Sequence, residues 1–167
     1  SAWCHGAPGI GLARLRAYKY NNNHSLGLAR NAIQTTIQSL QVDSKNYTLC
    51  HGALGNAYLL IDAYKILGES NFYSNAINIA YKSIQAKSKT GYWASGISKI
   101  GSRAVYDLFN GVAGIGSFFL SLVDPINAKS PLSFSIEGGA PAFNSVSSIS
   151  KEYFSDYVFE DTAASIL

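Results

Sequence analysis

Leu49-Cys50-His51-Gly52-Ala53-Leu54-Gly55-Asn56-Ala57-Tyr58 decides how this chain is read, because the chain says nearly the same thing twice more. An earlier copy runs Trp3-Cys4-His5-Gly6-Ala7-Pro8-Gly9-Ile10-Gly11-Leu12, and a later one Phe109-Asn110-Gly111-Val112-Ala113-Gly114-Ile115-Gly116. The later copy keeps the glycines, has Asn110 in place of histidine, and lacks cysteine. Self-similarity over tens of residues marks a repeat architecture. Cys4 and Cys50 stand 46 positions apart, whereas Cys50 and Phe109 stand 59 apart. The longer period fits an inserted loop, and the glycines and serines of residues 87–107 are its natural place.

Working outward, each phrase precedes an apolar segment of helical period. Residues 10–18 read as a helix, Asn21-Asn22-Asn23 breaks it, and Ser25 is placed to cap a second helix. That second helix carries Leu28, Ala29, Ala32, Ile33, Ile37 and Leu40 at helical spacing. The next period repeats the plan. Residues 53–67 put Ala57, Leu60, Ile61, Tyr64 and Leu67 on one side, with Gly68 as the stop. Residues 73–87 then present Ala76, Ile77, Ala80, Tyr81 and Ile84. A last helix over 111–123 is stopped by Asp124-Pro125. The expected fold is therefore all-α, built of helical hairpins over residues 1–125. Residues 126–167 are expected to be an irregular extension: 128–150 is rich in serine, glycine and proline, and 153–159 is aromatic and acidic without a period.

The glycines before each helix permit a tight loop and close backbone approach. A phosphate cradle ranks lower, since no Gly-Lys-Ser/Thr end follows and no strand precedes. The 167 residues suggest one domain, 47% of them apolar. Only 14% are charged, against about a quarter in ordinary domains, so large surfaces are expected to be covered by neighbours. A net charge of +3 without a basic block argues against nucleic acid. The apolar stretch 111–123 is too short and glycine-rich for a membrane span. The chain has no methionine and begins at Ser1, directly before the first phrase, so a piece of a longer protein is expected. No charged-then-apolar segment suggests a signal peptide, and the expected compartment is the cytoplasm.

Both cysteines directly precede a His-Gly pair. Without a secretory signal this context favours a thiolate metal site over a disulfide. Zinc takes sulfur and imidazole nitrogen together. Equivalent loops of neighbouring repeats would lie side by side, which nominates Cys4, Cys50 and His51 as ligands of one zinc ion. Three protein ligands leave one tetrahedral position open, the arrangement of catalytic zinc. His5 as a fourth ligand would close the site and make it structural, and free cysteine is also a common small hydrophobe in cores. His24, in the asparagine-rich turn, reads as solvated.

At these residues the chain resembles the lanthionine synthetase C-like (LanC-like) family, and most of all the cyclase domain of class II lanthipeptide synthetases (LanM). The resemblance rests on the run from Ser1 through Trp3-Cys4-His5-Gly6 to Leu15, on Leu49-Cys50-His51-Gly52, and on the third phrase. It implies an α/α toroid whose glycine-rich loops feed the inner helices, with zinc at one mouth. This chain would be a partial ring of about three carboxyl-terminal repeats. It implies Cys4, Cys50 and His51 as the zinc ligands, and places His5 at a position that is not a ligand. The implied reaction belongs to lantibiotic biosynthesis: a cysteine of a dehydrated precursor peptide binds the open zinc position and adds to dehydroalanine or dehydrobutyrine, closing a thioether. The acid and base, an aspartate and a histidine, are then expected upstream, on missing repeats of the same protein. Asp43, Asp62 and His24 do not sit in matching motifs, and no dehydratase domain is present. The alternative is a non-catalytic zinc-containing repeat module that binds a thiol or peptide, as eukaryotic relatives are associated with thiols and glutathione. A toroidal prenyltransferase is disfavoured by the Cys-His-Gly phrases.

Overall fold

A computed structural model of the chain describes residues 1–42, 44–95 and 105–132, all within one unit, Ser1–Phe134. Five α-helices and no strand occur among the described residues. Each glycine-rich phrase ends as the amino terminus of a helix: α1 (Ala7–Lys19), α3 (Ala53–Leu67) and α5 (Val112–Val123). Gly6, Gly52 and Gly111 occupy their N-cap positions, none with a side-chain cap. A short 3-10 turn, Trp3–His5, leads into α1. Between them lie α2 (Ser25–Leu40) and α4 (Ser70–Thr90). Helices α1, α3 and α5 stand side by side in that order, with α2 packed on α1 and α4 on α3. This is the helical-hairpin repeat that the phrases imply.

The centre is α3. Its residues Ala53 through Tyr64 are buried without interruption. The one-sided stripe expected for this helix is thus an underestimate, because a helix with neighbours on several sides has no solvent face to generate a period. Fully burying a side chain such as Leu54, Leu59 or Leu60 stabilises by about 1.5–3 kcal/mol. Tyr58 brings a hydroxyl into this core, where it is satisfied by Ser117 Oγ at 3.2 Å and Ser121 Oγ at 3.0 Å on α5. Its ring meets Phe118 edge-on at 5.2 Å. Tyr73 of α4 donates to the Leu122 carbonyl at 2.7 Å, a group in the last turn of α5 that has no later helical N–H to accept.

Helix ends follow local chemistry. Gly68 closes α3 in the left-handed region, φ 75°, donating to the Tyr64 carbonyl at 2.9 Å. Gly91 closes α4 the same way at φ 81°, so α4 extends into the stretch assigned to the insertion. Residues 96–104 of that stretch lie outside the described residues, as do Asp43 and the tail from 133. Three expectations need correction. Ser25 does not cap α2: it is the first helical residue and is buried, while exposed His24 holds the cap position without a side-chain bond. Leu28 and Tyr81, expected on the apolar faces, are each 51% exposed. Both lie on the outer helices, where Ala29 and Ala80 next to them make the core contact.

Candidate metal centre

The three phrases share a backbone device. A Cβ added at Gly9, Gly55 or Gly114 would meet the carbonyl oxygen of the residue six positions earlier, at 2.2 Å for Trp3, 1.7 Å for Leu49 and 1.9 Å for Leu108. Each loop therefore lies directly against the first turn of the helix it feeds, and only glycine leaves room. Backbone bonds repeat too. Ala53 donates to the Asn46 carbonyl at 2.9 Å, and Val112 donates to the Val105 carbonyl at 2.7 Å. Asn46 shapes the second loop further, its Oδ1 accepting from the Thr48 amide and the Thr48 hydroxyl, both at 2.9 Å.

These loops deliver the candidate ligands to one point. Cys4 Sγ, Cys50 Sγ and a His51 ring nitrogen all lie within 4.8 Å of one another. Cys50 Sγ and His51 Nε2 are 3.8 Å apart. Tetrahedral zinc sets sulfur–sulfur and sulfur–nitrogen edges of about 3.5–3.8 Å, so the trio needs only a small contraction to hold the ion. Both cysteines are free, Cys4 exposed and Cys50 half-buried, and His51 is exposed. The residues fit the metal in donor type, number and spacing, and their exposed side leaves access for a further ligand. His5 stands outside the trio, its ring centroid 6.0 Å from that of His51. His24 lies on the turn before α2, and Asp62 is buried in α3.

The surroundings of Cys50 favour its neutral thiol. Burial first, and then the adjacent Cys4 thiol and the Asp107 carboxylate, push the Cys50 thiol up to about 11. A bound divalent ion reverses this, holding a coordinated thiol deprotonated.

Several supporting residues escaped sequence reasoning. Asn56, in the first turn of α3, is buried and donates through Nδ2 to the Ser1 carbonyl at 3.0 Å, tying the helix behind Cys50 to the loop of Cys4. Asp107 Oδ1 accepts from the Asn110 amide at 2.6 Å. The Cys50 amide donates to the Phe109 carbonyl at 2.9 Å, and Trp3 stacks on the Phe109 ring. An asparagine or aspartate three residues before a turn amide is a local signal. The contacts across repeats carry none.

Fold and site together define an all-α helical-hairpin repeat protein with a two-cysteine, one-histidine cluster at the mouths of its glycine-rich loops. The sequence profile of the lanthionine synthetase C-like proteins matches residues 1–135. The chain belongs to that family, and its helices are part of the family's α/α toroid. Among curated relatives it is 30% identical over 138 residues to a protein from Danio rerio named glutathione S-transferase LANCL1, covering 77% of this chain and 30% of that protein. It is 28% identical over 130 residues to the lacticin 481/lactococcin biosynthesis protein LcnDR2 of Lactococcus lactis subsp. lactis, covering 69% of this chain and 13% of that protein. The chain thus spans less than a third of each relative's length.

Proposed function

We propose that this chain is the metal-bearing part of a lanthionine-forming peptide cyclase. The observation that carries the reading is the convergence of Cys4, Cys50 and His51 from two repeats within 4.8 Å. Family membership and the likeness to a lantibiotic biosynthesis protein support it. These three residues would hold one zinc ion. Held there, zinc would supply the charge that keeps an incoming thiol deprotonated at neutral pH. The substrate is a dehydrated precursor peptide. Its cysteine sulfur forms a bond to the β-carbon of dehydroalanine or dehydrobutyrine, the double-bond electrons pass to the adjoining carbonyl, and a proton then returns to the α-carbon. The chain's own part is to hold the ligands in register through the glycine-packed loops. The proton-transfer groups belong, on this proposal, to repeats upstream of Ser1. Residues 1–125 form the repeat portion and 126–167 an extension. The reaction is placed in the cytoplasm, where thiols stay reduced.

The surface of α5 supports the presence of neighbouring repeats. Leu120 and Val123, three residues apart on one face of α5, are 72% and 67% exposed. This apolar patch lies at the carboxyl-terminal end of α5, where the next repeat of a ring would pack. A second reading, a module binding a thiol such as glutathione, draws on the relative named glutathione S-transferase. Both readings use the same cluster to activate sulfur and differ in whose sulfur it is.

The test uses the full-length protein. Bound zinc is measured in the wild type and in Cys4→Ala, Cys50→Ala and His51→Ala. Thioether formation is then followed by mass spectrometry with a dehydrated precursor peptide, with and without glutathione. Loss of zinc and of intramolecular ring closure in each variant is expected. Stoichiometric zinc surviving all three substitutions overturns the ligand assignment, and glutathione adducts without rings favour the second reading.

A further inference from the structure

We infer that the third glycine-rich loop, which has no ligand of its own, is the clamp that positions both thiolates, and that Phe109 is its positioning residue. This rests on the metal reading above and adds a role for a repeat that reading leaves idle.

Cys4 and Cys50 arrive on different repeats, 46 residues apart, and each sits on a loop whose helix begins only after the following Gly6 or Gly52. Something must fix one loop against the other to about the tolerance of a metal bond. Phe109 touches both. Its backbone carbonyl accepts the Cys50 amide at 2.9 Å, which anchors the second thiolate's own peptide unit. Its ring stacks on Trp3, with centroids 5.8 Å apart and planes 17° from parallel. Trp3 is the residue bonded to Cys4, so the stack anchors the first thiolate from the side.

Phe109 is itself held rigidly. The Asn110 amide bonds to Asp107 Oδ1 at 2.6 Å, closing the turn that carries it. Gly114, one turn into α5, brings its backbone against Leu108, and a Cβ there would also meet Leu49 Cγ at 2.7 Å. Leu49 precedes Cys50, so the third repeat engages the second loop at two successive residues. Phe109 is 39% exposed, at the edge of the core, and its ring packs on Trp3. Its position is explained by the stack it makes.

Phe109 acts through Trp3 and Cys50 rather than on substrate. Removing outer partners of metal ligands typically weakens metal binding about 10–100-fold. The experiment compares the full-length wild type with Phe109→Ala, Phe109→Leu and Phe109→Tyr. Zinc affinity is read by competition with a chromophoric chelator, and the site geometry by the thiolate-to-cobalt charge-transfer and d–d bands after cobalt substitution. Phe109→Ala and Phe109→Leu are expected to lose about 10–100-fold in affinity and to change the cobalt bands. Phe109→Leu keeps most of the apolar volume while removing the ring, and denaturant unfolding measured alongside separates a packing defect from loss of the stack. Phe109→Tyr keeps the ring and is expected to restore both readouts. Wild-type affinity and unchanged cobalt bands in Phe109→Leu overturn the clamp while leaving the metal site standing. A wild type that binds neither zinc nor cobalt overturns both.

Discussion

Gly55→Ala is the sharpest perturbation of the loop geometry. The new Cβ would sit 1.7 Å from the Leu49 oxygen, 2.5 Å from its carbonyl carbon and 2.8 Å from its Cα. Real Cβ atoms do not approach closer than 3.0 Å, so the Leu49 oxygen and the added methyl must separate by a further 1.3 Å or more. All three obstructing atoms are backbone, so no rotamer change relieves them. The strain passes directly into Cys50, the next residue. Metal–ligand distances are held to about 0.2 Å, several-fold less than this displacement. The expected cost is about 1–3 kcal/mol in folding stability from overpacking, and a loss of zinc affinity of at least about 100-fold, equal to about 2.7 kcal/mol. The assay is chelator competition on the full-length variant, alongside denaturant unfolding. Gly27→Ala is the control: it lies in α2 with nothing within 4 Å of the added Cβ. It should gain about 0.5–1 kcal/mol and leave zinc binding unchanged. A Gly55→Ala protein with wild-type zinc affinity would refute the idea that this glycine sets the position of the Cys50 loop.

Other outcomes follow from single contacts. Tyr73→Phe strands the Leu122 carbonyl at the end of α5 and should cost about 1–3 kcal/mol in denaturant unfolding. Asp62 is buried in α3, and burial raises its carboxyl above the ordinary value despite Lys65, Arg16 and Lys19. A raised native pKa means that its stabilising contribution is full below the unfolded pKa and is lost as pH rises through the native one. The stability of Asp62→Asn relative to wild type should therefore grow from pH 3 to pH 7, and a difference independent of pH over that range contradicts the assignment. Leu120→Lys, in the exposed apolar patch of α5, should destabilise the full-length protein by well over the roughly 0.5 kcal/mol of an ordinary surface change. A neutral result there means that no repeat covers that face.

The glycine phrases made the repeat, the helix starts and the three metal-ligand candidates legible, because each is a local pattern of residue types. Gly68 was readable as a stop for the same reason. What could not be read depends on neighbours in space. Helix α3 looked one-sided, since period reports a contrast between core and solvent and α3 has no solvent face. Leu28 and Tyr81 matched the helical spacing, yet face outward because apolar composition alone does not choose among adjacent positions on a wide stripe. Ser25 had the right chemistry for a cap but sits one residue inside the helix, where it is buried. Trp3 and Phe109 were visible in their phrases, but their stacking joins positions that only the packing of α1, α3 and α5 brings together.

The loop that carries Cys50 and the loop that carries Phe109 close with equivalent backbone bonds and press on equivalent glycines, Gly55 and Gly114, although the second has neither cysteine nor histidine. Shape and cargo are thus separable in this protein. A loop folds into its socket on the strength of its own main chain, and the candidate ligands ride on it as replaceable fittings. On the zinc reading proposed above, removing the ion should leave the helices folded, unlike small zinc domains that collapse without theirs. The same independence lets a repeat shed its ligands over time without endangering the ring, and it makes the third loop a ready seat for a transplanted cysteine–histidine pair.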